Sequence, residues 1–290
     1  MDRLKLLIET YYDYQKGRIA YNNRLNILSG DIRKAIEQET VFKTLGTTMK
    51  KLESTIKSAV AKELKKDKLY TMIISRIKGI GPIMGGCLIA WLCRKRDFIM
   101  AKSHPFLNNI KSLDYAKIES IDKHNVRVQM PSVLDIATYV SDLYKYCGMI
   151  PGSRRVKGTK ISYNPKLKVL CWKIMRQILM AKRSYYCKLY EFAKHDFCKK
   201  YKNDEGSPKL KAHYTAMKKT IRHLLCTIYL GYKYLHKQPA YLPYPVKMLK
   251  NHDLEPPFVD GEDGPEILHF LVEYGEKYEQ NNNNAKTRCL

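Results

Sequence analysis

Two short segments carry residues whose types and spacing could handle a phosphate. The first is Lys78-Gly79-Ile80-Gly81-Pro82. A Gly-x-Gly step between two apolar stretches suits the tight turn of a helix-hairpin-helix, where small residues allow unusual backbone angles and bring a phosphate close to free amides. Pro82, with no amide hydrogen to lose, fits the first turn of the following helix, and Gly85 and Gly86 would let the two helices pack closely. The bland alternative is a simple helix-helix corner. The second segment runs from Tyr146-Cys147-Gly148-Met149-Ile150-Pro151 through Ser153, Arg154, Arg155, Lys157, Gly158 and Lys160 to Ser162. Glycine, proline and cations mark it as an exposed loop able to hold a phosphate backbone. Lys166 and Lys168 extend the charge onto the next helix, which Asn164 caps and Pro165 opens. Ser153, Thr159 and Ser162 supply hydroxyls there, with Ser153 and Ser162 the candidates for nucleophilic chemistry, and an unaided serine needs a base or a metal to activate it. Asp135 and Asp142 on the preceding segment read as surface residues rather than metal ligands.

Charge supports an anionic partner. The 290 residues hold 53 Lys and Arg against 28 Asp and Glu, a net +25. Residues 151–237 contain 22 basic and 4 acidic side chains (+18), whereas residues 238–290 contain 5 and 9 (−4). Phosphate backbones and anionic membranes both attract such a block. No amphipathic lipid-facing segment, lipidation motif or signal peptide is legible, so nucleic acid is the favoured partner and no membrane is expected. The longest apolar runs, such as 84–93, fall well short of the roughly 20 residues a membrane span needs. Eight scattered cysteines, none in a CxxC pair, predict buried thiols in a reducing compartment, with no metal and no cofactor. The expected location is the cytoplasm, in association with the nucleoid.

The elements that must position these residues read as mainly α. Residues 1–70 form a helical hairpin or coiled coil: a helix over 1–28 stops at Gly30, and a second runs unbroken from Asp31 to about Lys68. Association of copies through these helices follows as an expectation. Residues 71–98 form the helix-hairpin-helix. Residues 99–140 are an insertion of unassigned role with strand character at Val126-Arg127-Val128, and a helix is expected over 133–147. Residues 141–237 form a bundle of long basic helices, one spanning 165 to about 201 and another about 211–235. In the former, Leu167, Leu170, Ile174, Ile178 and Met180 supply the face to be buried. Residues 238–290 read as a packed appendage with a disordered end.

The hairpin turn, the Tyr-x-Gly-x-x-Pro loop, the basic glycine-containing turn, the Ile161-Ser162 start and the Asn164-capped helix together resemble the C-terminal transposase domain of the bridge-RNA-guided insertion-sequence transposases, the IS one-ten family. Order and spacing are similar from Ile74 to about Leu235, apart from roughly forty extra residues after Phe98. The N-terminal hairpin is similar to the coiled coil preceding that domain. The resemblance implies DNA binding linked to transposition and recombination. It also implies two departures. Full-length members begin with an RNase-H-like domain whose four acidic residues hold metal ions, whereas this chain starts at the coiled coil. Where the family places a nucleophilic serine just before the glycine of the post-proline turn, Lys157 precedes Gly158. The expectation is therefore a transposase-like DNA-binding protein that has lost catalysis. The alternatives are a truncated recombinase acting covalently through Ser153 or Ser162, and an RNA-binding module that uses some of the 22 tyrosines on structured RNA.

Overall fold

The computed structural model describes residues 2–103, 107, 116–153, 155–159, 161–182, 184–202 and 207–238. Arg154, Lys160 and the expected appendage beyond Gln238 lie outside the described residues. The fold is mainly α. Helix α1 (Arg3–Ile27) begins at Asp2, whose carboxylate accepts from the Leu4 amide at 2.9 Å. It lies along α3 (Thr40–Leu64), with the short α2 (Gly30–Gln38) at the far end of the hairpin. The single second helix expected from Asp31 to about Lys68 is therefore two, α2 and α3, with a third, α4 (Lys68–Met72), starting where that helix is expected to end. The extended backbone of Glu39 separates α2 from α3, and α4 starts anew on the Asp67 side chain, which accepts from Tyr70 N–H. Gly30 is the first residue of α2 rather than a stop; the chain breaks at Leu28 and Ser29.

A 3₁₀ turn (Ile74–Arg76) leads through Gly79 to α5 (Pro82–Leu88), which continues as one π-helical turn, Ile89–Cys93. Gly85 faces the Tyr70 ring, and Gly86 faces Ile8 and Val60, so α4, α1 and α3 approach α5 where no side chain intervenes. Strands β1 (Arg96–Ala101), β2 (Lys117–Ser120) and β3 (Asn125–Met130) form an antiparallel sheet in the order β1-β3-β2. Phe98 pairs with Val128, and Ile118 pairs with Val128 from the other side. Leu107, Val126 and Val128 give the sheet a small cluster of its own.

The helix expected over 133–147 is two, α6 (Val133–Ile136) and α7 (Val140–Tyr146), each closed at its start by an aspartate three residues on. Asp142 is exposed, but Asp135 is not a plain surface residue. It is half-buried, and its carboxylate accepts from Tyr232 Oη at 2.8 Å and Gln238 Nε2 at 2.9 Å. Burial opposes ionisation there, yet hydrogen bonds from Gln238, Tyr232 and Ser132 outweigh it and hold the carboxyl below its ordinary pKa.

Helix α8 (Pro165–Ala181), helix α9 (Tyr185–Lys200) and helix α10 (Pro208–Leu235) complete the bundle. The expected single helix over 165–201 is broken. Lys182 takes a left-handed conformation (φ 55°), and Ser184 caps α9 by accepting from the Tyr186 amide at 3.3 Å. Leu167, Leu170, Ile174 and Ile178 are buried as expected, but Met180 is 70% exposed because it falls on the solvent stripe of α8. One hydrophobic core runs from Leu4 and Ile8 through Val60, the hairpin turn and α7 to Ile228 and Tyr232. The segments before and after the sheet thus share it. Among the described residues, no helix is long and apolar enough to cross a membrane.

Candidate nucleic-acid interface

At the Gly-x-Gly turn the two glycines have different surroundings. Gly79 has φ +102°, and a Cβ built there would stand 2.7 Å from Ile178 Cα and 2.9 Å from Ile178 N. The turn therefore lies directly on the backbone of α8, and Gly79 is needed for that approach. Gly81 is the N-cap of α5 with Pro82 at its first position, is exposed, and has nothing within 4 Å of its would-be Cβ. Lys78 is exposed beside them. Of the expected phosphate contacts in this turn, Lys78 and Gly81 face solvent, while Gly79 packs inward.

The basic loop is held at its base. Gly148 (φ +65°) ends α7, with the Met149 amide donating to Tyr144 O at 2.8 Å. A Cβ at Gly148 would strike the Tyr163 ring and Lys168. Across the loop, Asn164 N–H donates to Tyr146 O at 2.8 Å, and the Asn164 side chain caps α8 by accepting from the amides of Lys166 and Leu167. Lys168 lies over the Tyr163 ring at 4.3 Å and donates to Ser153 O at 2.6 Å, while Lys218 Nζ from α10 donates to Ile150 O at 2.9 Å. Lys168, expected at the phosphate, thus spends one proton as a latch on the loop. Arg155, Lys157 and Gly158 are exposed beyond this latch, with a turn from Val156 O to Thr159 N. Ser162 is exposed and Ser153 half-buried; among the described residues, neither hydroxyl is hydrogen-bonded to a histidine or a carboxylate that could serve as its base.

The two segments sit toward opposite ends of α8. The Gly79 turn rests at Ile178 and the loop latch is at Lys168, ten residues or about 15 Å along the axis. Between and beyond them the solvent stripe of α8 presents Lys166, Lys173 and Arg176. On one side of the stripe lies a cleft of about 620 Å³ that includes Glu9, Tyr12, Asp13, Trp91, Lys166 and Lys173. Its wall thus carries two carboxylates from α1 as well as two lysines from α8.

On the other side is a smaller cavity of about 390 Å³ lined by Pro151, Trp172, Tyr214, Thr215, Lys218 and Arg222. These residues were not singled out by sequence. Trp172 and Tyr214 meet edge to face with centroids 6.0 Å apart. Burial, then the charges of Arg222 and Lys168, lower the Lys218 pKa, the expected response of an ammonium placed among cations. Neither α8 nor α10 contains an aspartate or glutamate. The signal in the sequence was that absence, together with Tyr214, Lys218 and Arg222 spaced four residues apart on one helix face.

Among the described residues, no group of His, Cys, Asp and Glu could hold a metal ion, and the seven described cysteines are free thiols, four of them buried (Cys87, Cys147, Cys171 and Cys187) and three half-buried (Cys93, Cys198 and Cys226). Comparison of the chain with protein-family models, with curated proteins and with solved structures found no match.

Proposed function

We propose that this chain binds DNA through its sugar-phosphate backbone and is a transposase-like protein without strand-transfer chemistry of its own. The observation that carries the reading is the unneutralised charge of the α8–α10 side: helices of 17 and 28 residues with no carboxylate, flanked by an exposed loop bearing Arg155 and Lys157. Such a surface gains by exchanging condensed counterions for lysine and arginine contacts, and contacts of this kind position a duplex without reading its sequence. Among the described residues neither Ser153 nor Ser162 has an activating base beside it, which favours binding over covalent chemistry. The proposal places the protein in the cytoplasm on the nucleoid, acting as a regulator or as the partner of a separate catalytic subunit.

The test is the salt dependence of binding to a duplex of arbitrary sequence and to a structured RNA, for wild type and Arg155→Ala/Lys157→Ala. Each lost phosphate contact should flatten the log–log slope by about 0.9 for duplex DNA, so the double variant should lose about 2 of slope, equally for unrelated sequences. Tighter and less salt-dependent binding to the RNA would replace the DNA reading with an RNA one. Weak binding to both would exclude nucleic acid as the partner.

A further inference from the structure

The cavity between α8 and α10 sets an open aromatic pair, which a duplex backbone does not require, beside a set of cations. From this juxtaposition we infer that it is a pocket for one unpaired nucleotide of a DNA strand, with the base against Trp172 and Tyr214 and its phosphate at Lys218 and Arg222. The inference rests on the proposed DNA binding and assigns a strand state to one part of that surface.

Tyr214 is 53% exposed while Trp172 is half-buried. Their edge-to-face arrangement, 81° between planes, leaves ring surface open to a third flat group. Every base has a π-face, so such a pair can stack an unpaired base whatever its identity. A base still paired and stacked in a duplex cannot reach it. Lys218 and Arg222 follow Tyr214 at successive four-residue steps on α10, each about 6 Å farther along the axis. Lys218 uses one proton on Ile150 O and keeps two for a ligand. Arg222 has no ion pair or hydrogen-bond partner among the described residues, and no described carboxylate lines the cavity. Lys218 therefore sits in the cavity beside Arg222, with Lys168 near enough to act on it and no described carboxylate lining the site, and a phosphate is a group that would offset this charge. The cavity of about 390 Å³ is of the size of small-molecule pockets and suits one nucleotide rather than a helix. The neighbouring cleft, with Glu9 and Asp13 in its wall, has no such vacancy for an anion.

Trp91 and Trp172 are the only tryptophans, so in Trp91→Phe the emission reports on the pocket alone. That protein would be titrated with oligothymidylate, oligouridylate and a blunt duplex, and the titrations repeated with Tyr214→Ala and Arg222→Gln added, each checked for unchanged helicity. The expected result is quenching of Trp172 by oligothymidylate but not by the duplex. Tyr214→Ala should weaken oligothymidylate binding about tenfold while changing duplex affinity less than twofold, and Arg222→Gln should weaken oligothymidylate binding several-fold more than duplex binding. Oligothymidylate binding without a change in Trp172 emission, or equal losses for single strand and duplex, would overturn the pocket while leaving the backbone-binding proposal intact. Preference for oligouridylate would overturn the assignment to DNA. If none of the three probes binds, the proposed function itself fails, and the inference with it.

Discussion

Gly79→Ala separates a glycine that lets backbone approach backbone from one that touches a ligand. The added Cβ would stand 2.7 Å from Ile178 Cα, 2.9 Å from its nitrogen and 3.1 Å from Gln177 C, all backbone atoms of α8 that no rotamer change can move. Overpacking of this kind costs about 1–3 kcal/mol. Holding an L-residue at φ +102° adds about 1–2 kcal/mol. The total of about 2–5 kcal/mol is a large part of the 5–15 kcal/mol that keeps a domain folded, and at about 2–4 °C per kcal/mol it lowers Tm by about 4–20 °C. Gly81→Ala two residues later meets nothing within 4 Å at an ordinary φ of −82°, and loses only the preference for glycine at an N-cap, at most about 1 kcal/mol. The assay is thermal unfolding by circular dichroism for both variants, with duplex affinity measured at 10 °C, where both remain folded. Gly79→Ala should melt far lower yet bind duplex as wild type does. Gly81→Val, which places a side chain over the exposed cap, should weaken binding alike for unrelated sequences. Equal melting of the two alanine variants would refute the packing of the turn on α8.

Asp135 should set part of the acid limit of the fold. Its folded pKa lies below the unfolded value of about 3.9, so its contribution is fully present above that value and is lost as pH falls through the folded one. Wild type should therefore lose Tm more steeply below about pH 4 than Asp135→Asn does; parallel curves from pH 6 to pH 3 would show that the carboxylate hydrogen bonds contribute nothing. The tip of the hairpin should mediate self-association, because Ile27 (84%) and Val41 (72%) are exposed there with Ile32 and Leu45. Sedimentation should give a dimer for wild type and a monomer for Ile32→Glu/Val41→Glu, and a monomer for both would remove that role from the hairpin.

The features legible in the sequence are those made by chain neighbours. Asn164 as cap, Pro82 and Pro165 as first helical residues, and the Gly79–Gly81 turn each depend on hydrogen bonds or dihedrals within a few positions, which residue type alone governs. Helix breaks were less legible. Nothing in a lysine announces the left-handed Lys182, and it was Ser184, a good cap sitting in plain view, that marked the restart. Glu39 likewise divides an apolar periodicity that continues unchanged through it. The site was least legible where it is tertiary. Lys168 counts as a free cation until Ser153 is found beneath it, fifteen residues back, and Lys218 until it reaches Ile150, sixty-eight residues back.

Helix α8 connects these observations. The turn on Ile178 and the latch at Lys168 are about 15 Å apart along its axis, so they cannot hold the same phosphate. With one strand advancing about 3.4 Å per phosphate along a duplex, that separation corresponds to four or five phosphates. Lys166, Lys173 and Arg176 are exposed on α8 between and beyond the two places, and a backbone running along that face of the helix would meet them. A duplex laid there would have its aromatic pocket at the flank rather than beneath it. Access to Trp172 and Tyr214 would then come from a strand that has left the helix, so on the proposed function the same surface would distinguish a distorted or opened site from an intact one.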